Sequence, residues 1–233
     1  MKKKLIIIFA LISGAVQVSA QQYTGLEGLL HCPSADMHNK GTGRISLALL
    51  NKNSMPDHFS HNITAYSLAY SPFDWAEISF TGLVRKVEGT IYQDRMASIK
   101  LRAIKENKWW PSVVVGSNDP LSTIKSSADD EENNHMCNVY IALSKHYDIN
   151  IGTLGLHAAY RRFRKTVNDK WNGAVGGLTF SPCFFPEARI VGEYDGNGFN
   201  VGADVKLFKH ISLQAICYEM KYFNCGICFE ANL

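Results

Sequence analysis

Hydrophobic and polar residues alternate along most of this chain. Ile45, Leu47 and Leu49 are separated by small or polar residues, and near residue 205 the apolar positions alternate with Asp204 and Lys206. Successive side chains of a strand point to opposite faces, so a period of two gives each strand one apolar and one polar face. Turn-forming residues separate these runs at regular spacing, which predicts about twelve strands. The predicted strands cover residues 43–51, 61–71, 75–86, 94–105, 111–117, 136–146, 149–161, 173–181, 187–195, 198–208, 211–222 and 225–233.

The predicted strands are typical of a membrane barrel. Most are about nine to twelve residues long, and a tilted membrane strand needs about 9–11 residues. Their polar faces repeatedly carry charge, as expected of a polar lumen opposite a lipid-facing apolar band. A tight turn near Ser71-Pro72 contrasts with longer connections at Lys86 to Asp94 and Asn118 to His135. We therefore expect an all-β, antiparallel up-and-down transmembrane β-barrel of about 12 strands (10–12). A soluble periplasmic β-sandwich is the alternative.

The first twenty residues have the features of a secretory signal peptide. Three lysines at positions 2–4 precede an apolar stretch from Leu5 to Val16, and Val18-Ser19-Ala20 places small residues where a signal peptidase cleaves. The apolar stretch is shorter than the roughly 20 residues that a membrane helix needs. We predict a signal peptide over 1–20, an N-terminal lead-in or plug segment over 21–42, a barrel over 43–233, and export to the bacterial outer membrane.

The charge balance excludes several classes of protein. Lys and Arg total 24 against 21 Asp and Glu, a net charge of +3. This lacks the basic surplus of nucleic-acid-binding proteins, so no nucleic-acid partner is expected. Charged residues make up 19% of the chain and apolar residues 46%, with a mean hydropathy of −0.11. These values exclude a disordered tail and a polytopic helical membrane protein.

Cysteine and histidine spacings give no metal or cofactor signature. Cys225-x-x-Cys228 is the spacing of redox and zinc motifs, but on a strand a separation of three places the two thiols on opposite faces. Export would permit disulfides among the six cysteines. The preferred interpretation is that they act as small apolar side chains that fill space in the packing. His58-x-x-His61 lies beside a predicted turn, where solvated loop histidines are expected. We expect no metal, no cofactor and no enzymatic activity.

A barrel-embedded lipid hydrolase is the enzymatic alternative. It would need a Ser or Thr nucleophile beside a His. Ser144 and His146 share one strand face, but the chain has no Gly-x-Ser-x-Gly nucleophile motif. The pair is therefore interpreted as accidental.

Aromatic residues at strand ends indicate an interfacial girdle. The girdle is predicted to comprise Phe73, Trp75, Trp109, Trp110, Trp171, Phe184 and Phe185. The acidic run from Asp129 to Glu132 is predicted to be a solvated surface loop.

A barrel of this size has a narrow interior, well below the open channels of 16–18-stranded porins. Charges of both signs on the polar faces would then share a confined space, where each must find a partner. We expect a plugged or barely conducting barrel. The candidate lumen residues for ligand binding are Lys100, Arg102, Glu193, Asp195, Asp204 and Lys206, with Glu230 beside them.

The segment Glu193-Tyr-Asp-Gly196 is the most specific candidate site. On a strand, Glu193 and Asp195 share one face and Tyr194 takes the other, towards lipid. The two carboxylates would need cationic partners, for which Lys100, Arg102 and Lys206 are the candidates. Two interpretations stay open: a hairpin anchor that neutralises lumen charge, and a sugar- or ion-binding site.

Several segments resemble the YjbH-like outer-membrane β-barrel family. The Gly-Leu, Pro-x-Ala and Gly-Thr elements that lead into the first strand of that family resemble residues 28–36 and 41–45. Further resemblances, in the order of the family, cover residues 98–102, 109–119, 140–145, the Glu-Tyr-Asp-Gly motif at 193–196, and 226–233.

The resemblance implies a non-enzymatic outer-membrane barrel, here a short single-barrel version, that assists export or assembly of extracellular polysaccharide or capsule. It implies outer-membrane lipid, polysaccharide and other envelope export proteins as partners. A narrow passive outer-membrane pore is the alternative function, and the lipid hydrolase is a less favoured one.

Overall fold

The structure, a computed structural model, describes residues 22–55, 60–120 and 136–233. The predicted signal peptide, the acidic run at 129–132, His58 and His135 lie outside these residues. Among the described residues, no helix is long and apolar enough to cross a membrane.

Twelve antiparallel strands form one closed barrel in which each strand pairs with its neighbours in sequence and β12 pairs with β1. The strands are β1 Thr42–Leu50, β2 Ile63–Phe73, β3 Ala76–Val87, β4 Thr90–Ile104, β5 Ser112–Asn118, β6 Asn138–Ile149, β7 Gly152–Phe163, β8 Gly173–Pro182, β9 Ala188–Tyr194, β10 Phe199–Leu207, β11 Ile211–Tyr218 and β12 Tyr222–Asn232. Short 3-10 helices cover Lys52–Ser54 and Thr166–Trp171. This closed, antiparallel barrel confirms the predicted fold class. Closure leaves no strand edge with unpaired backbone groups, as a membrane requires.

One predicted connection is wrong. The sequence suggested a long loop between Lys86 and Asp94, but β3 and β4 continue to a tight turn at Glu88-Gly89. Both turn residues have positive φ, 48° at Glu88 and 88° at Gly89. A two-residue turn of this kind matches the twist of the paired strands, so the hairpin extends without a break.

The two ends of the barrel differ in their connections. At the end where β1 begins, which we call the turn end, the chain reverses in tight turns at Phe73–Ala76 and Ile149–Gly152. At the opposite end, which we call the loop end, the longer connections run from Leu50 to Ile63, Asn118 to Asn138 and Phe163 to Gly173. Because outer-membrane barrels have short periplasmic turns and long outer loops, we expect the turn end to face the periplasm.

The outer wall is apolar and the inner wall polar, as the alternation predicted. Ile45 is 58% exposed on the outside, whereas Arg44 beside it is 4% exposed on the inside. Exposed aromatic residues form a band at each end of the wall. The turn-end band contains Phe73, Trp75, Trp109, Trp110, Phe184 and Phe185, and the loop-end band contains Tyr160, Tyr194, Phe199 and Phe223.

Trp171 does not belong to either aromatic band, which corrects the prediction. It is fully buried at the loop end, where the 3-10 helix Thr166–Trp171 folds inward. Its indole N–H donates to the Tyr218 hydroxyl at 3.1 Å, and its ring lies 5.0 Å from that of His31. A buried indole is stable when its N–H has such a partner.

Residues 22–40, which we call the inner segment, lie inside the barrel. Leu26, Leu29, Cys32 and Ala35 are all fully buried. Side chains from several parts of the wall bind the segment, including strands β1, β3, β4, β7 and β9. The segment reverses direction through a bridge between Gly28 and Pro33, so residues 30–32 form its tip.

Candidate functional site

The tip of the inner segment is bound by one carboxylate. Glu193, on β9, accepts hydrogen bonds from three consecutive backbone amides: Leu30 at 3.1 Å, His31 at 2.7 Å and Cys32 at 2.9 Å. The Asn200 side chain donates a fourth at 2.9 Å. Hydrogen bonds to an ionised acceptor are about twice as strong as neutral ones, so this group fixes the tip.

Arg161, on β7, also binds the tip, through the backbone carbonyl oxygen of His31. Its guanidinium donates to the carbonyl oxygens of His31 at 2.8 Å, Asp195 at 2.6 Å and Trp171 at 2.8 Å. The planar fork of Arg can satisfy several acceptors at once, and here it joins the inner segment to two loop-end connections. We call Glu193, Arg161 and Asn200 the tip clamp.

The Asp195 carboxylate mainly stabilises the turn between β9 and β10. Its carboxylate accepts from the amides of Asn197 and Gly198, both at 2.9 Å, and Gly196 supplies the positive φ of 96° that the turn needs. Its second oxygen lies 3.4 Å from His31 Nδ1. Burial lowers the pKa of His31 to about 4, although Asp195 opposes the shift, so the imidazole is neutral at pH 7.

A second group binds the two legs of the inner segment. The Glu77 carboxylate, on β3, accepts from the amides of Glu27 at 3.2 Å and His38 at 3.3 Å. Lys100, on β4, donates to the carbonyl oxygens of Glu27 at 2.7 Å and Asp36 at 2.6 Å. The two side chains also pair with each other at 3.0 Å, and we call them the leg clamp.

Glu27 is a carboxylate that the inner segment itself brings into the lumen. It lies 2.7 Å from His38, 3.5 Å from Arg44 on β1 and 3.7 Å from Arg189 on β9. Arg44 also donates to the carbonyl oxygen of Gly25 at 2.7 Å. Opposite charges therefore meet across the boundary between segment and wall, which a buried carboxylate requires.

The inner segment leaves little free space. A cavity of about 50 Å³ remains between Tyr23, Leu30 and the wall formed by β1, β2 and β10 to β12. Ligand pockets for small molecules are roughly 300–1,000 Å³. A cavity of about 50 Å³ is therefore too small for a sugar ring.

The predicted lumen residues face inward but do not form one site. Asp204 pairs with Arg189 at 3.2 Å, and Lys206 pairs with Glu230. Arg102 lies at the turn-end rim, where it donates to the carbonyl oxygen of Asp74 at 3.0 Å.

The cationic partners predicted for Glu193 and Asp195 need correction. Lys100, Arg102 and Lys206 are engaged elsewhere, and the nearby cation is Arg161 on β7. Strand register explains the error. A lumen charge meets residues on adjacent strands and on the inner segment, whose path the alternation does not specify.

Sequence reasoning missed Glu77, Arg161 and Arg189, and for two of them a signal was present. Glu77 lies directly opposite Lys100 in the β3–β4 register, and Arg189 directly opposite Asp204 in the β9–β10 register. Opposite charges facing each other across a hairpin are a recognised stabilising pair. Arg161 offered no such signal, because its partners are backbone carbonyls.

Ser144 does not pair with His146 as the hydrolase alternative supposed. Its hydroxyl lies 2.8 Å from Nδ1 of His157, which is directly opposite it on β7. The Asp36 carboxylate approaches the same nitrogen at 3.7 Å, and Nε2 of His157 lies 3.0 Å from the Thr179 hydroxyl. A catalytic triad places nucleophile and carboxylate on different ring nitrogens, so this arrangement differs from one.

The cysteines are unpaired. Among the described residues, which include all six, none forms a disulfide. Cys228 faces the lumen and is 8% exposed, while Cys225 is on the opposite face, as expected for a spacing of three on a strand.

The sequence and the fold were compared with known proteins, and one family model matches more than half of the chain. No curated protein matches the chain in sequence. A crystal structure of an outer membrane channel from Pseudomonas putida F1 resembles it over 86% of this chain and 98% of that chain, with 10% identity and a TM-score of 0.45. The family model described as exopolysaccharide biosynthesis protein YbjH matches residues 20–159, from before the inner segment into β7. Glu193 and Arg161 lie beyond the matched residues, and the leg clamp lies within them. The chain belongs to the YjbH exopolysaccharide biosynthesis family.

Proposed function

We propose that this protein is a non-enzymatic outer-membrane barrel that assists export or assembly of extracellular polysaccharide. In this proposal the inner segment is a plug, and the barrel acts when the plug moves. The observation that carries it is the tip clamp, in which Glu193 binds three backbone amides of the inner segment. Such a clamp holds the segment by hydrogen bonds that another ligand can replace.

The chemistry of the vacated lumen would suit a saccharide. Withdrawal of the segment frees carboxylate acceptors at Glu193 and Glu77 and cationic donors at Arg161 and Lys100. Sugar hydroxyls both donate and accept hydrogen bonds, so a wall that alternates acceptors and donors can bind them in place of the backbone. Membership of the exopolysaccharide biosynthesis family supports this class of ligand.

A permanently open pore is a weaker candidate because the inner segment lies in the lumen and the cavity beside Tyr23 and Leu30 is only about 50 Å³. The proposal also includes export by the signal peptide, an outer-membrane location, and contacts with lipid, polysaccharide and other envelope export proteins.

Deletion of the gene followed by complementation tests the proposal. We expect deletion to lower the amount of surface polysaccharide and the wild-type gene to restore it. A Glu193→Gln gene should alter that amount while the barrel still folds, as judged by heat-modifiable gel migration. Asp148→Asn is the matched control, because Asp148 is exposed at the turn end, away from the inner segment's tip, and accepts a hydrogen bond from Thr153. Normal polysaccharide in the deletion strain would contradict the proposal.

A further inference from the structure

Three potential metal ligands meet at the turn-end side of the lumen. They are Asp36 from the inner segment, His146 from β6 and His157 from β7, and one ligand atom of each lies within 4.8 Å of the other two. Asp36 Oδ1 is 3.7 Å from His146 Nε2, and Asp36 Oδ2 is 3.7 Å from His157 Nδ1. The spacing of these residues in the sequence gave no hint of the group.

Each imidazole is oriented by a partner on its far nitrogen. His146 Nδ1 lies 2.8 Å from the Glu106 carboxylate, which also accepts from the His146 amide at 2.8 Å. His157 Nε2 lies 3.0 Å from the Thr179 hydroxyl. When the far nitrogen carries the proton, the near nitrogen presents a lone pair towards Asp36. Metal-binding histidines show this pattern, with a carboxylate or other acceptor fixing the tautomer from behind.

The distances fit an ion between the groups better than direct hydrogen bonds. A separation of 3.7 Å is too long for a hydrogen bond between an imidazole and a carboxylate. Zinc binds nitrogen and oxygen ligands at about 2.0–2.2 Å, so two tetrahedral ligands are roughly 3.3–3.6 Å apart. Because one ligand atom of each residue lies within 4.8 Å of the other two, shifts of about 1 Å would bring the three to coordinating separations.

We propose that Asp36, His146 and His157 form a binding site for a divalent transition metal of the zinc type. Two imidazoles and one carboxylate suit zinc, whereas magnesium and calcium prefer oxygen ligands alone. The Asp36 and His146 side chains are 17% and 35% exposed, which leaves a fourth position for water. On binding, the Ser144 hydroxyl gives up its contact with His157 Nδ1.

Three cations lie near the Asp36 carboxylate, and each is engaged by another acceptor. Lys100 pairs with Glu77, Arg102 donates to the Asp74 carbonyl oxygen, and Arg189 pairs with Asp204. The metal would join the inner segment to two wall strands at the end assigned to the periplasm. It therefore adds a third attachment to the tip and leg clamps, and the site stands whether or not the proposed export function is correct.

Metal binding can be measured on the purified full-length barrel in detergent, without a polyhistidine tag. After treatment with a chelator, the protein is dialysed against Zn²⁺, and separately against Co²⁺. We expect one Zn²⁺ per chain by elemental analysis. Co²⁺ should produce the visible absorption bands of a tetrahedral nitrogen and oxygen site.

Three variants test the site: one ligand, its supporting carboxylate and a control. His146→Ala, at a partly exposed position, should fold and lose the bound metal, and Glu106→Ala should weaken affinity roughly 10–100-fold. His210→Ala is the matched control, because His210 is an exposed histidine at the same end that faces the Glu230 carbonyl oxygen. Binding by His146→Ala equal to that of wild type, or no binding by wild type, would overturn the proposal.

Discussion

The tip clamp and the leg clamp hold the same inner segment by different chemistry. In the leg clamp, Glu77 and Lys100 neutralise each other and each also binds both legs. In the tip clamp, the Glu193 carboxylate receives only neutral donors, while Arg161 is occupied by carbonyl oxygens. The leg clamp thus contains an ion pair between two wall strands. The tip clamp consists of hydrogen bonds between wall side chains and the backbone of the inner segment. If the segment is withdrawn as proposed, we expect its tip to be released before its legs.

Breaking the leg clamp should have the largest effect. Lys100→Met removes the nearest cation from the buried Glu77 carboxylate and leaves only the longer contacts to Arg44 at 3.9 Å and His38 at 3.8 Å. This should lower the free energy of unfolding by about 3 kcal/mol, the lower end for breaking a buried ion pair. Urea unfolding of the barrel in detergent measures this loss. The double variant Lys100→Met with Glu77→Gln should recover part of it, because no charge is left unpaired. A single variant as stable as wild type would mean that the pair is dispensable.

Weakening the tip clamp should affect the segment rather than the wall. Glu193→Gln replaces one accepting oxygen with an N–H₂ group that faces backbone amides, at a cost of about 1.5–3 kcal/mol to docking of the tip. Hydrogen exchange should become faster at Leu30 to Cys32, and ion conductance in planar bilayers should rise. Heat-modifiable migration should stay unchanged, since the strands are intact. Equal exchange rates in both proteins would show that the tip is held by other contacts.

Acid should also loosen the tip, through protonation of His31. The folded-state pKa of His31 is about 4 against an ordinary value of 6.5. The unfolded or released segment therefore binds a proton more readily, and the stabilisation present above pH 6.5 is lost as the pH falls towards 4. The Asp195 carboxylate, 3.4 Å from His31 Nδ1, opposes this shift in pKa, and the pKa of about 4 already includes its effect. Conductance measured from pH 7 to pH 4 should rise over this window in wild type and much less in His31→Gln.

A change on the outer wall beside the tip clamp should have the smallest effect. Tyr194 is 41% exposed on the outer face, and its hydroxyl donates to the Gly196 carbonyl oxygen. Tyr194→Phe removes one exposed hydrogen bond next to Glu193 without touching the lumen, so we expect a change in unfolding free energy of about 0.5 kcal/mol or less. Hydrogen exchange at residues 30–32 should match wild type. A faster exchange there would show that the clamp depends on the outer face.

The alternation of apolar and polar residues was sufficient to predict which side chains of the wall face outward and which face the lumen. The pattern around Ile45 and Leu47 assigns their faces correctly, because lipid outside and polar groups inside impose opposite demands on neighbouring residues. It did not predict the position of Trp171, whose environment is set by the fold of a loop-end connection over the lumen.

The clamps could be predicted only in part. Glu193 was identified as an inward-facing carboxylate, but its partners are backbone amides of residues 30–32, which carry no sequence signal of their own. The metal ligands were missed for a related reason. Asp36 meets His146 and His157 only because the inner segment turns back inside the barrel, and that path depends on tertiary contacts.

The junction between the inner segment and β1 determines how a mechanical load would be shared. The Gly41 amide donates to the Ser71 carbonyl oxygen at 2.8 Å, and the Gly41 carbonyl oxygen accepts from Leu233 at 2.9 Å. A pull on the segment towards the turn end therefore reaches the wall along β1, which is hydrogen-bonded over its length to β2 and β12. Ladder bonds lie across the strand direction, so such a force shears many of them together instead of unzipping them singly. The segment's own contacts go to separate side chains and can rupture in succession, so the seam between β1 and β12 can outlast the extraction of the segment.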